Sequence, residues 1–317
     1  MSAFAVDRPY RPEAEPGLDP GGVRARARAA EVLPTVANVV ARRNTLTATE
    51  VLARAKYSWL EFAWLTGTGL LGLAAFTQPF HLHYLPVMVG IYLWIGFSVT
   101  LYLHRFLTHR GFALARPLQF LFAFGSAVGF SGDPVGWVGY HRHHHKFSDT
   151  ENDVHSPRYG FFFSHMGWFL KDCKEFDREV RKLAADCRKV WYLRLFENRV
   201  AYGIPHFVVA GVIFYFLGWS GLLWCLYFPA LAMHHHTWAI NSLTHKSWMG
   251  YRRFATGDDS VNSPWLLGAL GEGWHNNHHA EARRVAHGLA WYEIDLTKYL
   301  IWTLEKVGLV RDVHWQR

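Results

Sequence analysis

The chain has little cysteine: three residues in 317, namely Cys173, Cys187 and Cys225. They form no C-x-x-C pair and no even set, which argues against both a disulfide framework and a thiolate metal site. A bound metal would then rest on imidazole, and the chain has 20 histidines. No nucleotide-binding G-x-G-x-x-G fingerprint is read in it, and no cysteine iron–sulfur spacing. No His-Pro-Gly-Gly occurs, so no fused haem domain of the cytochrome b5 type is expected. The first thirty residues lack the apolar core of a signal peptide, and residues 1–45, rich in Pro, Gly, Ala and Arg, read as a mobile tail.

Lys and Arg are missing from two long regions. All 33 fall before Tyr57, between His104 and Arg199, or after Leu243. The stretches 57–103 and 200–243 contain none, although the net charge is +8. This placement is a membrane pattern and excludes nucleic acid as the partner that the charge suggests. A spanning helix needs roughly 20 apolar residues. Four such runs are read, at about 57–77, 84–103, 203–219 and 221–243. They form two hairpins with short turns near Pro79 and Gly218. The excess of basic residues puts the active side and both termini in the cytoplasm. A fifth apolar stretch, 117–130, is short and opens with Pro117, so it is expected to lie in the interface with membrane lipids. The fold class is therefore an all-α membrane protein. Its cytosolic helical cap, 104–200 and 244–317, holds a two-metal site, and 46–317 form one domain.

On this topology four histidine groups meet on one membrane face. They are His104 and His109 in HRFLTH, His141, His144 and His145 in HRHHH, Asn241 and His245 in NSLTH, and His275, His278 and His279 in HNNHH. Helix positions i, i+3 and i+4 share a face, so these spacings aim imidazoles together while His143 points elsewhere. Nine imidazoles suit two ions, and imidazole serves Fe, Zn, Cu and Ni alike. His234, His235 and His236 are about 100° apart around a helix and cannot all face one site. They are expected to contact neighbouring helices or line a hydrated mouth, with His234 a candidate to support a ligand.

Taken in order, HRFLTHRGF, HRHHHKFSDTENDVHSP, GFFFSHMGW, TWAINSLTH and GEGWHNNHHA resemble the membrane-bound fatty acyl desaturases, especially their stearoyl-type delta-9 branch. The resemblance runs from about residue 57 to 310. It implies an oxidoreductase with two Fe ions and O2 as co-substrate that removes two hydrogens from neighbouring methylenes, leaving a cis double bond. By resemblance the ligands are His104, His109, His141, His144, His145, His245, His275, His278 and His279, with Asn241 holding a water on one iron. Asp149, Asp153, Asp258 and Glu272 are candidates to orient ligand rings. Trp137, Thr237 and Trp238 match residues that shape an acyl tunnel, and Tyr92 and Gly96 match its closed end.

Three departures bear on the substrate's carrier and on the cap. Lys171-Asp172-Cys173 replaces a basic pair, SGDPVGW lacks an expected asparagine, and AEARRVAHG follows the last box. An acyl-CoA, an acyl-lipid or an acyl carrier protein remains open as the substrate form. Reducing O2 to two waters takes four electrons and the substrate yields two, so a separate ferredoxin, cytochrome or flavin reductase is implied. The basic stretch 171–199 is a candidate docking face for it. Two other readings are a related membrane di-iron hydroxylase and a membrane metal transporter or sensor. The latter would place ionisable ligands along a path inside the spans.

Overall fold

The computed structural model describes residues 47–316. The expected tail at 1–45 lies outside them. The molecule is mostly helical. Thr47 and Glu50 form a capping box that starts α1, Ala48–Arg54. Ser58 caps α2, Trp59–Ala74, which runs on as a tight turn to Thr77. The next helix, α3, Tyr84–Phe97, continues without a break into a π-helical stretch, Ser98–Thr108.

Three helical runs are long and apolar enough to cross a membrane: Trp59–Thr77, Tyr84–Thr108 and Arg199–Leu243, of 19, 25 and 45 residues. The expected third and fourth spans both fall within the last run, as helices that meet across a kink at Gly218. α8, Arg199–Leu222, passes through a π-helical turn, Leu223–Tyr227, into α9, Phe228–Leu243. Within α8, Gly218 alone departs from helical geometry, at φ 64° and ψ −166°. The break expected near Gly218 is therefore real. His206 and Tyr227, 21 residues apart, place Nε2 and hydroxyl 3.4 Å from each other. In a straight helix they would be roughly 30 Å apart.

The backbone of Gly218 lies in a region open almost only to glycine, and no atom lies within 4 Å of a Cβ built there. Gly218→Ala therefore tests backbone strain alone. It should cost about 1–3 kcal/mol and lower the thermal midpoint of the detergent-solubilised protein. An unchanged midpoint would show that the turn has no need of glycine.

Apolar side chains face outward along these runs. Tyr215 and Phe216 are 81% and 74% exposed. In water such a surface would be costly, whereas in lipid it is the solvent contact. The string GTGLLG, Gly67 to Gly72, has the G-x-G-x-x-G spacing, contrary to the expectation that none is present. It lies inside α2 with no strand-to-helix turn before it, so it cannot cradle a phosphate. Gly72 instead allows close approach of two helices, because a Cβ there would meet Leu231 and the Tyr227 carbonyl at 2.9 Å.

The remaining helices form the cap. α4, Arg116–Val128, carries Pro117 in its first turn and buries Phe122, Ala123, Ala127 and Val128 against its neighbours, α8 among them. Asp133 caps α5, Pro134–Phe147, by accepting from Gly136 N at 2.9 Å. α6, Lys174–Lys182, packs on α5. A short α7, Trp191–Leu195, precedes α8. After α9 come α10, His275–Ala280, and α11, Leu296–Lys306. Two small antiparallel ladders tie distant segments together. Lys56–Tyr57 (β1) pairs with Lys171–Asp172 (β3), and Ala113–Leu114 (β2) pairs with Val310–Arg311 (β4).

Candidate metal centre

The nine histidines gather into two groups. His104, His109, His141, His145 and His278 bring ring nitrogens within 4.8 Å of one another, and so do His144, His245, His275 and His279. The elements explain the sorting. His104 and His109 are five apart, a spacing that an α-helix would splay by about 140°. The π-helical stretch closes on them with a bond from His109 N to the His104 carbonyl, 3.1 Å, and their rings come to 4.8 Å.

On α5, His141 and His145 are i and i+4, about 40° apart, and join the five-histidine group. His144 lies about 60° to the other side of His141 and joins the four-histidine group. α10 divides in the same manner, with His275 and His279 in one group and His278 in the other. Each helix edge thus straddles both sites, where the spacing alone had suggested one point per box. His143 belongs to neither group and packs against Phe147 and Phe176.

Carboxylates fix the ring orientations. His104 Nδ1 lies 2.6 Å from Glu272, His144 Nδ1 3.0 Å from Asp153, His245 Nδ1 2.7 Å from Asp149 and His279 Nδ1 2.9 Å from Asp258. An ionised carboxylate only accepts, so each Nδ1 carries the proton and each Nε2 presents a lone pair. In the four-histidine group three of the four Nε2 atoms are set in this way. His245 Nε2 lies 3.0 Å from His275 Nε2, and His279 Nε2 is buried without any hydrogen-bond partner. In the other group His278 Nε2 lies 3.0 Å from His104 Nε2 and 2.9 Å from His145 Nε2, and His109 Nε2 is a buried orphan. Lone pairs this close repel unless a cation lies between them. The residues fit two metal ions.

Burial and the crowd of neighbouring imidazoles hold His109, His141, His145, His275 and His278 well below the ordinary 6.5, and His279 at about 4. They are neutral at pH 7, as ligands must be. Burial opposes charge on His144 too, but Asp153 outweighs it and raises that pKa. Burial likewise opposes ionisation of Glu272, yet His104, His287 and Arg105 keep it well below the carboxylate range.

A pH dependence follows. Below about 6.5 the unfolded chain takes up protons on these imidazoles, and on His143, His155 and His287, that the folded metal-free chain refuses. The stability of the metal-free protein should therefore fall as pH drops from 7 toward 4, with His144 opposing alone. Thermal midpoints of metal-free protein at pH 7.5 and pH 5.0 check this, and a flat profile would contradict it.

Sequence reasoning missed several neighbours. Arg105 is buried beside His104. It donates from Nε and Nη2 to Glu272, at 3.1 and 2.9 Å, and from Nη1 and Nη2 to Asp295, both at 3.0 Å. Arg142 donates to the Leu107, Thr108 and Leu183 carbonyls and to Asp186, locking the first box to the second. His155 packs against His144 with ring centroids 4.3 Å apart, and the ring of His287 lies 4.4 Å from that of His278. The only signal available was adjacency: Arg105 and Arg142 each follow a box histidine directly.

His234, His235 and His236 contact neighbours, not the metal groups. Their ring nitrogens meet the Gly129 carbonyl at 2.5 Å, His165 at 3.1 Å and the Tyr92 hydroxyl at 2.6 Å. The expected acyl-site residues are dispersed. Trp137 stacks on His141, with centroids 4.9 Å apart. Trp238 stacks on His234 and lines an apolar cavity of about 260 Å³ between α2 and α9. Thr237 donates to the Met233 carbonyl at 3.0 Å. Tyr92 also donates to the Gly268 carbonyl at 2.6 Å. Gly96 is hemmed by Leu270 and Met233, each 2.5 Å from where a Cβ would sit. Tyr92, Gly96, Trp137 and Thr237 are not among the cavity's lining residues. Asn241 is part-buried on the last turn of α9, four residues before His245.

In the basic stretch 171–199, Arg181 pairs with Asp133 and Asp177, Lys182 with Glu179, Arg188 with Glu197 and Arg199 with Glu61. Lys174, Arg178, Lys189 and Arg194 are exposed and form no ion pair among the described residues.

Comparison with known proteins gives the same direction. The chain is 40% identical over 250 residues to the icosanoyl-CoA 5-desaturase of Limnanthes douglasii, covering 73% of this chain and 69% of that protein. It is 38% identical to the delta-9 desaturase-like 3 protein of Arabidopsis thaliana, covering 76% and 79%. It is 34% identical to the sn-1 stearoyl-lipid 9-desaturase of Anabaena variabilis, covering 81% and 93%. The profile of the fatty acid desaturases matches residues 79–315. With its nine histidines in two groups and this match across most of its length, the chain belongs to the fatty acid desaturase family.

Proposed function

We propose that this chain is an integral membrane di-iron enzyme that uses O2 to place a cis double bond at the ninth carbon of a long saturated acyl chain. The observation that carries this reading is the sorting of nine buried or half-buried imidazoles into groups of five and four. Those nine would hold two irons, and Asn241, one turn before His245, would hold a water there. Bound iron with O2 supplies the hydrogen abstraction that no side-chain base can perform on an unactivated methylene.

The protein's own task is to hold one methylene pair beside the metals and keep water out. Trp137, stacked on His141, is placed to form a wall there. Thr237 and Trp238 shape the bend of the acyl path, and Tyr92 and Gly96 close its end, where Leu270 and Met233 already fill the space.

Four membrane crossings are supported by length. A straight run of 45 residues would be roughly 70 Å long, about twice the hydrocarbon core. The His206–Tyr227 contact and the glycine turn at 218 support folding back. Ser220 donates to the Pro79 carbonyl at 2.7 Å and Trp224 to the Gln78 carbonyl at 3.3 Å, so the two apolar turns meet. The histidine ends at 104 and 245 are then opposite, on the cytoplasmic side with both termini, and 46–317 act as one domain. A long-chain acyl thioester or acyl-lipid is the substrate, in keeping with the relatives' names. An external electron donor docks at the exposed cations Lys174, Arg178, Lys189 and Arg194.

Expression in a host lacking unsaturated fatty acids tests the whole. Gas chromatography of its lipids should show a new cis double bond at the ninth carbon. A bond at the fifth carbon would overturn the position, and a hydroxylated chain the reaction.

A further inference from the structure

We infer that the two histidine groups are electrostatically unequal and that the four-histidine group holds the ion oxidised first. The inference rests on the di-iron reading above. In the four-histidine group three imidazoles are each backed by a different carboxylate: His144 by Asp153, which also lies 3.8 Å from His155 Nδ1, His245 by Asp149 and His279 by Asp258. These carboxylates are 0%, 4% and 9% exposed. A carboxylate that accepts from Nδ1 pulls the ring toward imidazolate and makes Nε2 the stronger donor.

Among the described residues only one ligand of the five-histidine group is backed in this way, His104 by Glu272. That carboxylate is shared. Its other oxygen accepts from Arg105 at 2.9 Å, and His287 Nδ1 lies 3.2 Å from the oxygen that His104 uses. Arg105 brings a buried positive charge into the same network, and Asp295 balances it.

Two effects then act in one direction. Donors with imidazolate character stabilise the higher charge on an ion, and so does nearby negative charge acting through a weakly screened interior. The fifth imidazole of the other group works differently. It is a neutral donor and adds affinity for both charge states, so it discriminates less between them.

The test uses purified full-length protein in detergent, loaded without oxygen with ⁵⁷Fe²⁺. One equivalent of ferricenium per chain removes one electron from the iron pair and is reduced to ferrocene. Mössbauer spectroscopy should then show the ferric iron in one site only, as a single ferric doublet beside a single ferrous one, whereas equal sites would share the ferric iron and give two doublets of each kind. A pair that oxidises as two equals would overturn the inference and leave the di-iron reading standing. Protein that binds no iron pair would instead sink that reading.

Variants assign the site. Asp258→Asn should require an oxidised-to-reduced mediator ratio at least about tenfold higher for the first oxidation, a step of the size an outer partner controls. Asp149→Asn should do the same and serves if Asp258→Asn binds metal poorly. Glu272→Gln should leave the first oxidation in place. The opposite pattern, with Glu272→Gln alone moving it, would place the first oxidation at the other group.

Discussion

Replacing His144 by alanine is expected to abolish the unsaturated product and to release one of two bound metal ions, while His143→Leu next to it preserves both. The two residues are adjacent on α5 and equally hidden, at 1% and 0% exposure. Composition, burial and sequence position do not separate them. Rotation of about 100° around the helix does. His144 is turned toward His245 and His279, with its Nδ1 held by Asp153. Its loss removes one of four imidazoles, more than the roughly 10–100-fold in affinity that loss of an outer partner costs.

His143 is turned away toward Phe147 and Phe176, and neither ring nitrogen has a partner. Leucine there fills a similar space and removes two unsatisfied polar atoms, a change that is near neutral when nothing is left unpaired. Metal analysis of purified protein and chromatography of the host's lipids read both effects. Should His144→Ala keep the wild-type product and two ions, the ligand assignment fails.

Arg105→Ala is expected to produce the largest loss of stability. Arg105 is 1% exposed and joins Glu272 and Asp295, themselves 6% and 0% exposed, across more than 160 residues of chain. Truncation strands two buried carboxylates, and breaking such a pair typically costs about 3–5 kcal/mol. The damage also reaches the metal, because Glu272 would lose the partner that fixes it against His104. Arg105→Lys keeps the charge, yet a single ammonium cannot reproduce the forked contact with both acids, so it should fall between alanine and wild type. Thermal unfolding in detergent, with metal content measured on the same samples, separates the outcomes. A midpoint for Arg105→Ala equal to that of wild type would show that the buried network carries little of the fold.

Much of the site is legible in the sequence. A helix repeats locally, so HRHHH and HNNHH reveal which rings leave a helix together and which, like His143, do not. Apolar length and the exclusion of Lys and Arg mark what faces lipid. Where the reading fell short, the reason was also local. The break expected near Gly218 is present, but as a kink at one residue and not as a loop, so the two helices follow each other in one run of 45 residues. The spacing of five between His104 and His109 gives no common face on an α-helix, and the π-helical turn that supplies one is set by packing against α4 and α5.

By itself, then, the sequence determined the kind of side chain that the two groups are built from, the number of imidazoles and their grouping along the chain. Those follow from residue chemistry and from the periodicity of single helices. The tertiary structure alone decided the division into five and four, which ring each of the four carboxylates backs and the position of Arg105 between Glu272 and Asp295. Each of these joins segments far apart in the chain, such as His245 with Asp149 across 96 residues. No local rule reaches that far, because only the packed core brings such partners within a hydrogen bond of each other.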